Sequence, residues 1–132
     1  MATITLKTLP QATEQQVFDQ VATHLLTQGR KSENAGTCLY RGPEGTKCAA
    51  GCLIGKSEYR AYWEGRSWSG LAGEGSVPEE HLDLIIALQK IHDHPDWRLR
   101  TLARSWREKL IKLANEFELS YKVVEDFNEK QV

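Results

Sequence analysis

"TCLYRGPEGTKCAAGCLIG", residues 37–55, holds all three cysteines of the chain, four of its ten glycines, a Tyr-Arg pair and a proline. The same residues suit a metal knuckle, a redox centre, a ligand loop or a structural hairpin followed by a tight helix. Pro43 fits the first corner of a type I turn, and Gly45 fits the left-handed position after it. Together they make a three-residue hairpin loop with a bulge, and such a loop sets a register. Gly42 closes against Thr46, Arg41 faces Lys47, and Tyr40 faces Cys48. Side chains alternate along a strand, so Cys38, Tyr40 and Cys48 share one face while Leu39, Arg41 and Lys47 share the other. The basic pair marks the wetter face, which turns the cysteines inward. After Cys48, "AAGCLIG" (49–55) is too rich in small residues for a good strand. It reads as a short helix stopped by Gly55, with Gly51 permitting a close helix–sheet approach.

Upstream, "TITLKTL" (3–9) alternates Ile4 and Leu6 with polar residues, the pattern of a half-buried strand. Thr13 reads as a helix N-cap completed by Gln16. Val17, Phe18, Val21, Ala22, Leu25 and Leu26 then recur at helical spacing, up to a Gly29 cap. "RKSENAG" (30–36) is a polar loop. Downstream, residues 56–77 read as one long aromatic and glycine-rich loop, and a loop of that length in a small domain is usually functional or mobile. Pro78 opens a buried helix rich in leucine and isoleucine. Pro95 ends it, and a last long helix runs from about Asp96 to Phe117 with Leu99, Leu102, Ala103, Trp106, Leu110, Leu113 and Phe117 on its apolar stripe. Ser120 caps a short tail helix within 120–132. The expected architecture is a single α+β domain over 1–132. A small antiparallel sheet, made of the N-terminal strand plus the 37–48 hairpin, packs against three main helices.

Composition bounds the function. A chain of 132 residues with 40% hydrophobic and 27% charged side chains has enough apolar residues for one core, and the composition argues against wholesale disorder. The net charge of −1 argues against a nucleic-acid coating protein and against an acidic DNA mimic. The start "MATITLKTLP" has neither the basic end nor the apolar run of a signal peptide, and no window is apolar enough to span a membrane. Three cysteines, an odd count, suit free thiols in a reducing cytoplasm.

The candidate chemistries are mostly weak. Cys38, Cys48 and Cys52 with a histidine would make a zinc set, but no C-x-x-C occurs, and core thiols are the commoner use of such residues. Nothing in the neighbouring sequence is placed to lower a cysteine pKa. His81 and His92 lie about 16 Å apart along a helix axis and cannot share an ion. His92 and His94 at a helix end are a better pair, yet a histidine satisfied at a helix terminus is the simpler account. "GCLIGKS" (51–57) has three residues between its glycines where a phosphate loop needs four. No metal and no cofactor is therefore expected, and the reading leans away from an enzyme.

Two surfaces remain as partner sites. One is the aromatic loop, with Tyr62, Trp63, Arg66 and Trp68 as anchors of the residue types enriched at interface hot spots. The competing reading makes both tryptophans caps on the core. The other is a stripe of Arg100, Arg104 and Arg107 beside the apolar face of the last helix, for which a solvated flank is the usual explanation. A small-ligand or nucleotide site using Arg41 or Lys47 with the aromatic loop is the alternative, and an enzyme with a cysteine or metal site is a further one.

Cys38-x-Tyr40-Arg41, then Gly45-x-Lys47-Cys48-Ala49-x-Gly51-Cys52-Leu53-Ile54, resembles small uncharacterised proteins of tailed bacteriophages and prophages. Glu64-Gly65, Leu88-Gln89 with His92-Asp93, and Trp97 extend the resemblance to roughly residues 15–117. Relatives often carry Pro-Asp-Glu after the Leu-Ile pair, where this chain has Gly55-Lys56-Ser57. The resemblance brings no reaction. It implies a phage-type accessory protein in the host cytoplasm that binds and modulates a host protein, inhibiting a host enzyme or a defence system.

Overall fold

A computed structural model describes residues 3–131, with side chains described through residue 127; residues 1, 2 and 132 of the expected domain and tail lie outside it. The described chain has five α-helices and one two-stranded antiparallel sheet, an α+β fold. Helix α1 (Glu14–Gln28) forms as its sequence dictates. Thr13 accepts the Gln16 amide at 3.1 Å, the Gln16 side chain accepts the Thr13 amide at 2.9 Å, and Gly29 closes the helix at φ 69°. Its apolar face buries Val17, Phe18, Val21, Ala22 and Leu25 against α3 (Leu82–Asp93), α4 (Leu102–Glu116) and α5 (Lys122–Gln131). Leu84, Ile85, Leu88, Trp106, Leu110 and Val124 meet that face in a single core.

The expected N-terminal strand does not form. Ile4 and Leu9 are buried, but the chain turns back on itself at Thr5 and runs into a 3-10 helix, Leu9–Gln11. Side chains take the place of a strand partner. Gln20 accepts the Ile4 amide at 2.7 Å and donates to the Ile4 carbonyl at 3.0 Å, while the Glu58 carboxylate accepts the Leu6 and Lys7 amides at 2.9 and 3.0 Å.

The sheet pairs β1 (Glu33–Asn34) with β2 (Thr37–Cys38) across Ala35 and Gly36, both left-handed, inside the stretch read as a polar loop. The 37–48 hairpin keeps its expected register at its tip: Arg41 bridges Lys47, and the Gly42 amide donates to Thr46 at 2.9 Å. Its corner differs, since Glu44 (φ 59°) is left-handed ahead of Gly45 (φ 77°). No ladder continues past that bridge, because the Glu64 carboxylate accepts the amides of Tyr40 at 2.8 Å and Arg41 at 3.1 Å. Residues after Cys48 make a short 3-10 helix, Ala50–Leu53. A side chain at Gly51 would place its Cβ 2.3 Å from the Tyr40 carbonyl oxygen, so only glycine allows this approach.

Residues 56–77 are not one irregular loop. They hold a 3-10 turn, Ala61–Trp63, and a short helix α2, Trp68–Gly73, capped by Ser67. Helix α3 begins at Leu82 rather than Pro78, with His81 left-handed at φ 64° and its Nε2 2.7 Å from the Ala12 carbonyl. The helix expected from Asp96 is also split. Trp97–Leu99 is a separate 3-10 turn capped by Asp96, Arg100 is left-handed at φ 71°, and α4 starts anew under a Thr101 cap. Among the described residues no helix is long and apolar enough to cross a membrane.

Candidate functional site

The hydrophobic pattern of α3 turns Leu84, Leu88 and Ile91 into the core, and the same helix carries Gln89, His92 and Asp93 at i, i+3 and i+4, on one side. The β-hairpin brings Cys38 to them. Sγ of Cys38, a ring nitrogen of His92 and a carboxylate oxygen of Asp93 lie within 4.8 Å of one another. From sequence alone these residues suggest only other combinations, the three cysteines with a histidine and His92 with His94. The helical spacing of Gln89, His92 and Asp93 was available as a signal, whereas the approach of Cys38 depends on tertiary structure.

Hydrogen bonds fix the state of this group. His92 is fully buried and stacks on Trp106 with ring centroids 5.7 Å apart. Its Nε2 accepts the Ser32 amide at 2.9 Å, so its proton sits on Nδ1 and is donated to Asp93 Oδ1 at 2.8 Å. Burial disfavours the imidazolium whereas Asp93 and Cys38 favour it, with a net upward push on the pKa. A second proton would nevertheless have to sit on Nε2, facing the Ser32 donor, and that geometry keeps the ring neutral. Gln89 Nε2 donates both to Asp93 Oδ1 at 2.9 Å and to Cys38 Sγ at 3.1 Å, and Gln89 Oε1 accepts the Ala50 amide at 2.9 Å. For Asp93, burial pushes upward, but hydrogen bonds from His92 and Gln89, with the Cys38 thiol close by, hold the carboxyl below its ordinary range.

The cysteines are correspondingly quiet. The neighbouring Cys48 thiol, then burial, push Cys38 far above an ordinary thiol. Burial lifts Cys52 to about 12, and its thiol donates to the Ala49 carbonyl at 3.2 Å. Cys48 is fully buried, as the hairpin register requires. A nucleophilic cysteine needs a thiolate and a base with a free lone pair. Cys38 is held as a thiol, and both nitrogens of His92 are engaged. A metal at Nδ1 would likewise have to displace its proton and set a protonated Nε2 against the Ser32 amide. The donor set suits a metal by type, but its wiring suits a structural tie between the hairpin and α3.

Beside this tie lies a cavity of about 400 Å³, walled by Tyr40 and Trp68, the 65–69 turn, and Ile86, Gln89, Lys90 and Asp93 of α3. Glu64 fixes the adjoining segment, accepting the Tyr59 hydroxyl at 2.6 Å besides the two hairpin amides. The Tyr40 hydroxyl donates to the Arg66 carbonyl at 2.5 Å.

The residues expected at a partner surface separate. Tyr62 is 66% exposed, but Trp63 and Trp68 are 5% and 4% exposed and belong to the core. Of the two readings, anchors at a partner surface or caps on the core, both tryptophans have the burial of caps. Arg66 is exposed and paired with Glu74. The arginine stripe is broken, since Arg100 lies before α4 in a left-handed conformation, Arg104 is exposed, and Arg107 is half-buried. Arg41 and Lys47 do not frame one ligand site. The Arg41 guanidinium covers the Tyr59 ring at 4.4 Å and donates to the Gly55 carbonyl at 3.1 Å. Lys47 lines a separate open groove along α1, with His24 and Gln28 bound to its backbone. Trp97, quoted only for the resemblance, is a second exposed aromatic at 64%.

Comparison with protein-family models, with curated proteins and with solved structures finds no match to this chain.

Proposed function

We propose that this chain is a non-catalytic binding protein that modulates a host protein, as the phage-type resemblance implies, with Tyr62 at the centre of its contact surface. The observation that carries the reading is the contrast within three residues. Tyr62 stands 66% exposed, while Trp63 beside it is rooted in the core at 5%. Glu64 ties the same segment to the hairpin through Tyr40, Arg41 and Tyr59. A tyrosine held out on a fixed segment loses little freedom on binding, and such aromatic residues dominate many interfaces. Arg66, four residues on and exposed, supplies directed hydrogen bonds at the edge of that surface. The engaged state of Cys38 and His92 supports binding over catalysis.

Tyr62→Ala tests this reading. The immobilised wild-type chain is expected to retain a discrete host protein from bacterial lysate, and the variant to lose it. Its denaturation midpoint should change little, since exposed positions cost within about 0.5 kcal/mol. Equal retention by the two proteins would remove Tyr62 from the contact and the reading with it.

A further inference from the structure

We propose that the cavity between the hairpin, the 65–69 turn and α3 binds a small anion carrying a flat ring, with Lys90 receiving its charge. At about 400 Å³ the cavity lies near the lower end of small-molecule sites, room for one ring and an acidic group. Tyr40 and Trp68, with centroids 6.2 Å apart and planes tilted by 59°, give it aromatic walls, and Ile86 adds an aliphatic one. Flat rings pack well on such walls.

Lys90 is the free cation among the lining residues described. Ile86, Gln89, Lys90 and Asp93 line the cavity from one side of α3. The Asp93 carboxylate already accepts hydrogen bonds from His92 and Gln89. Arg66 at the rim shares its charge with Glu74. Among the described residues Lys90 has no ion pair and no side-chain hydrogen bond, although it is exposed at the cavity mouth. Thr37, Ser67 and Ser69 also line the cavity, and the two serine hydroxyls are 3.3 Å apart. Trp68 adds an independent sign. Three buried indole N–H groups lack an acceptor, those of Trp63, Trp68 and Trp106, and only Trp68 lines this cavity. An unpaired buried donor costs stability, and a ligand acceptor would relieve it.

The test follows the Trp68 indole N–H signal by nitrogen–proton NMR during titration with benzoate and with uridine monophosphate. Their neutral counterparts, benzamide and uridine, and inorganic phosphate serve as controls. One of the two ring-bearing anions is expected to shift the signal saturably at millimolar concentration, and the arm that does so tells carboxylate from phosphate. Lys90→Ala should weaken that binding about tenfold, the scale of one hydrogen bond to a charged group, and Lys90→Arg should preserve it. Lys90 is exposed, so both variants keep the fold, and Tyr62→Ala should leave this binding unchanged whatever it does to a protein partner. The proposal is overturned if neither ring-bearing anion moves the signal, or if the neutral counterparts or phosphate alone move it as well. It is also overturned if Lys90→Ala binds like the wild type.

Discussion

Trp63→Ala is expected to lower the stability of the protein by about 3–5 kcal/mol, the range for removing a large aromatic side chain from a packed core. The residue lies in a stretch of glycines, serines and charges that reads from sequence as a long loop, with Trp63 either a partner anchor or a cap on the core. The structure gives it 5% exposure within the single core, with its ring edge to Tyr62 at a centroid distance of 6.4 Å. Truncation removes the root that holds residues 61–63 in place, so the loss should be accompanied by faster amide exchange from Tyr59 to Arg66. Urea denaturation measures the effect. A cost below about 1 kcal/mol, the level of an ordinary surface substitution, would mean that Trp63 is not part of the core. The neighbouring Tyr62→Ala provides the internal contrast, since it removes a ring of similar size from solvent.

His92→Ala is the second large effect, expected to cost about 2–4 kcal/mol. The imidazole is fully buried, so its removal opens a cavity against Trp106. It also leaves the Ser32 amide without an acceptor and withdraws one donor from Asp93. These partners lie on separate elements, the strand edge and the end of α3. The variant should therefore loosen the hairpin as well as lower the midpoint, and Ser32 should exchange its amide proton early. Asp93 keeps the Gln89 hydrogen bond and is partly open to water, which holds the cost below that of stranding a fully buried charge. An unchanged midpoint would show that the tie carries no stability.

What the sequence made legible was local. The α1 helix follows from a capping box, an apolar face and a terminal glycine, all within seventeen residues from Thr13 to Gly29. The bridge between Arg41 and Lys47 follows from the turn between them, and the burial of Cys48 follows from that register. The need for glycine at position 51 was legible for the same reason, although the partner is the Tyr40 backbone. The errors lie where distant side chains satisfy backbone groups. Gln20 and Glu58 complete residues 4–7, and Glu64 completes the hairpin, so neither segment needs a strand partner. Period-two alternation reports burial on one side, and Ile4 is indeed buried with Leu6 partly so, but it does not report how the backbone is satisfied.

The candidate site divides in the same way. Tyr62 and Arg66 were found by residue type and do lie at the surface. Trp63 and Trp68 share that chemistry but not that position, because short helical turns rotate them inward. Arg100, Arg104 and Arg107 have helical spacing, yet the left-handed backbone at Arg100 ends the register before α4 begins. Residues far apart in the chain converge in space: Cys38, Gln89, His92 and Asp93 in one group, and Tyr40, Arg41 and Glu64 in another. Chain separation concealed both groups. Cys38 and Gln89 are 51 residues apart.

The central claim is that Cys38, Gln89, His92 and Asp93 are spent on holding the hairpin to the helices, which leaves function to the surface around them. Nitrogen NMR of the His92 imidazole at neutral pH tests it most directly, recorded before and after addition of zinc. The account predicts a neutral ring protonated at Nδ1, with Nε2 as the acceptor and the same spectrum in both samples. A ring protonated at Nε2 with its Nδ1 lone pair free, or a zinc-dependent shift of that nitrogen, would contradict it and make the group a reactive or metal-binding centre.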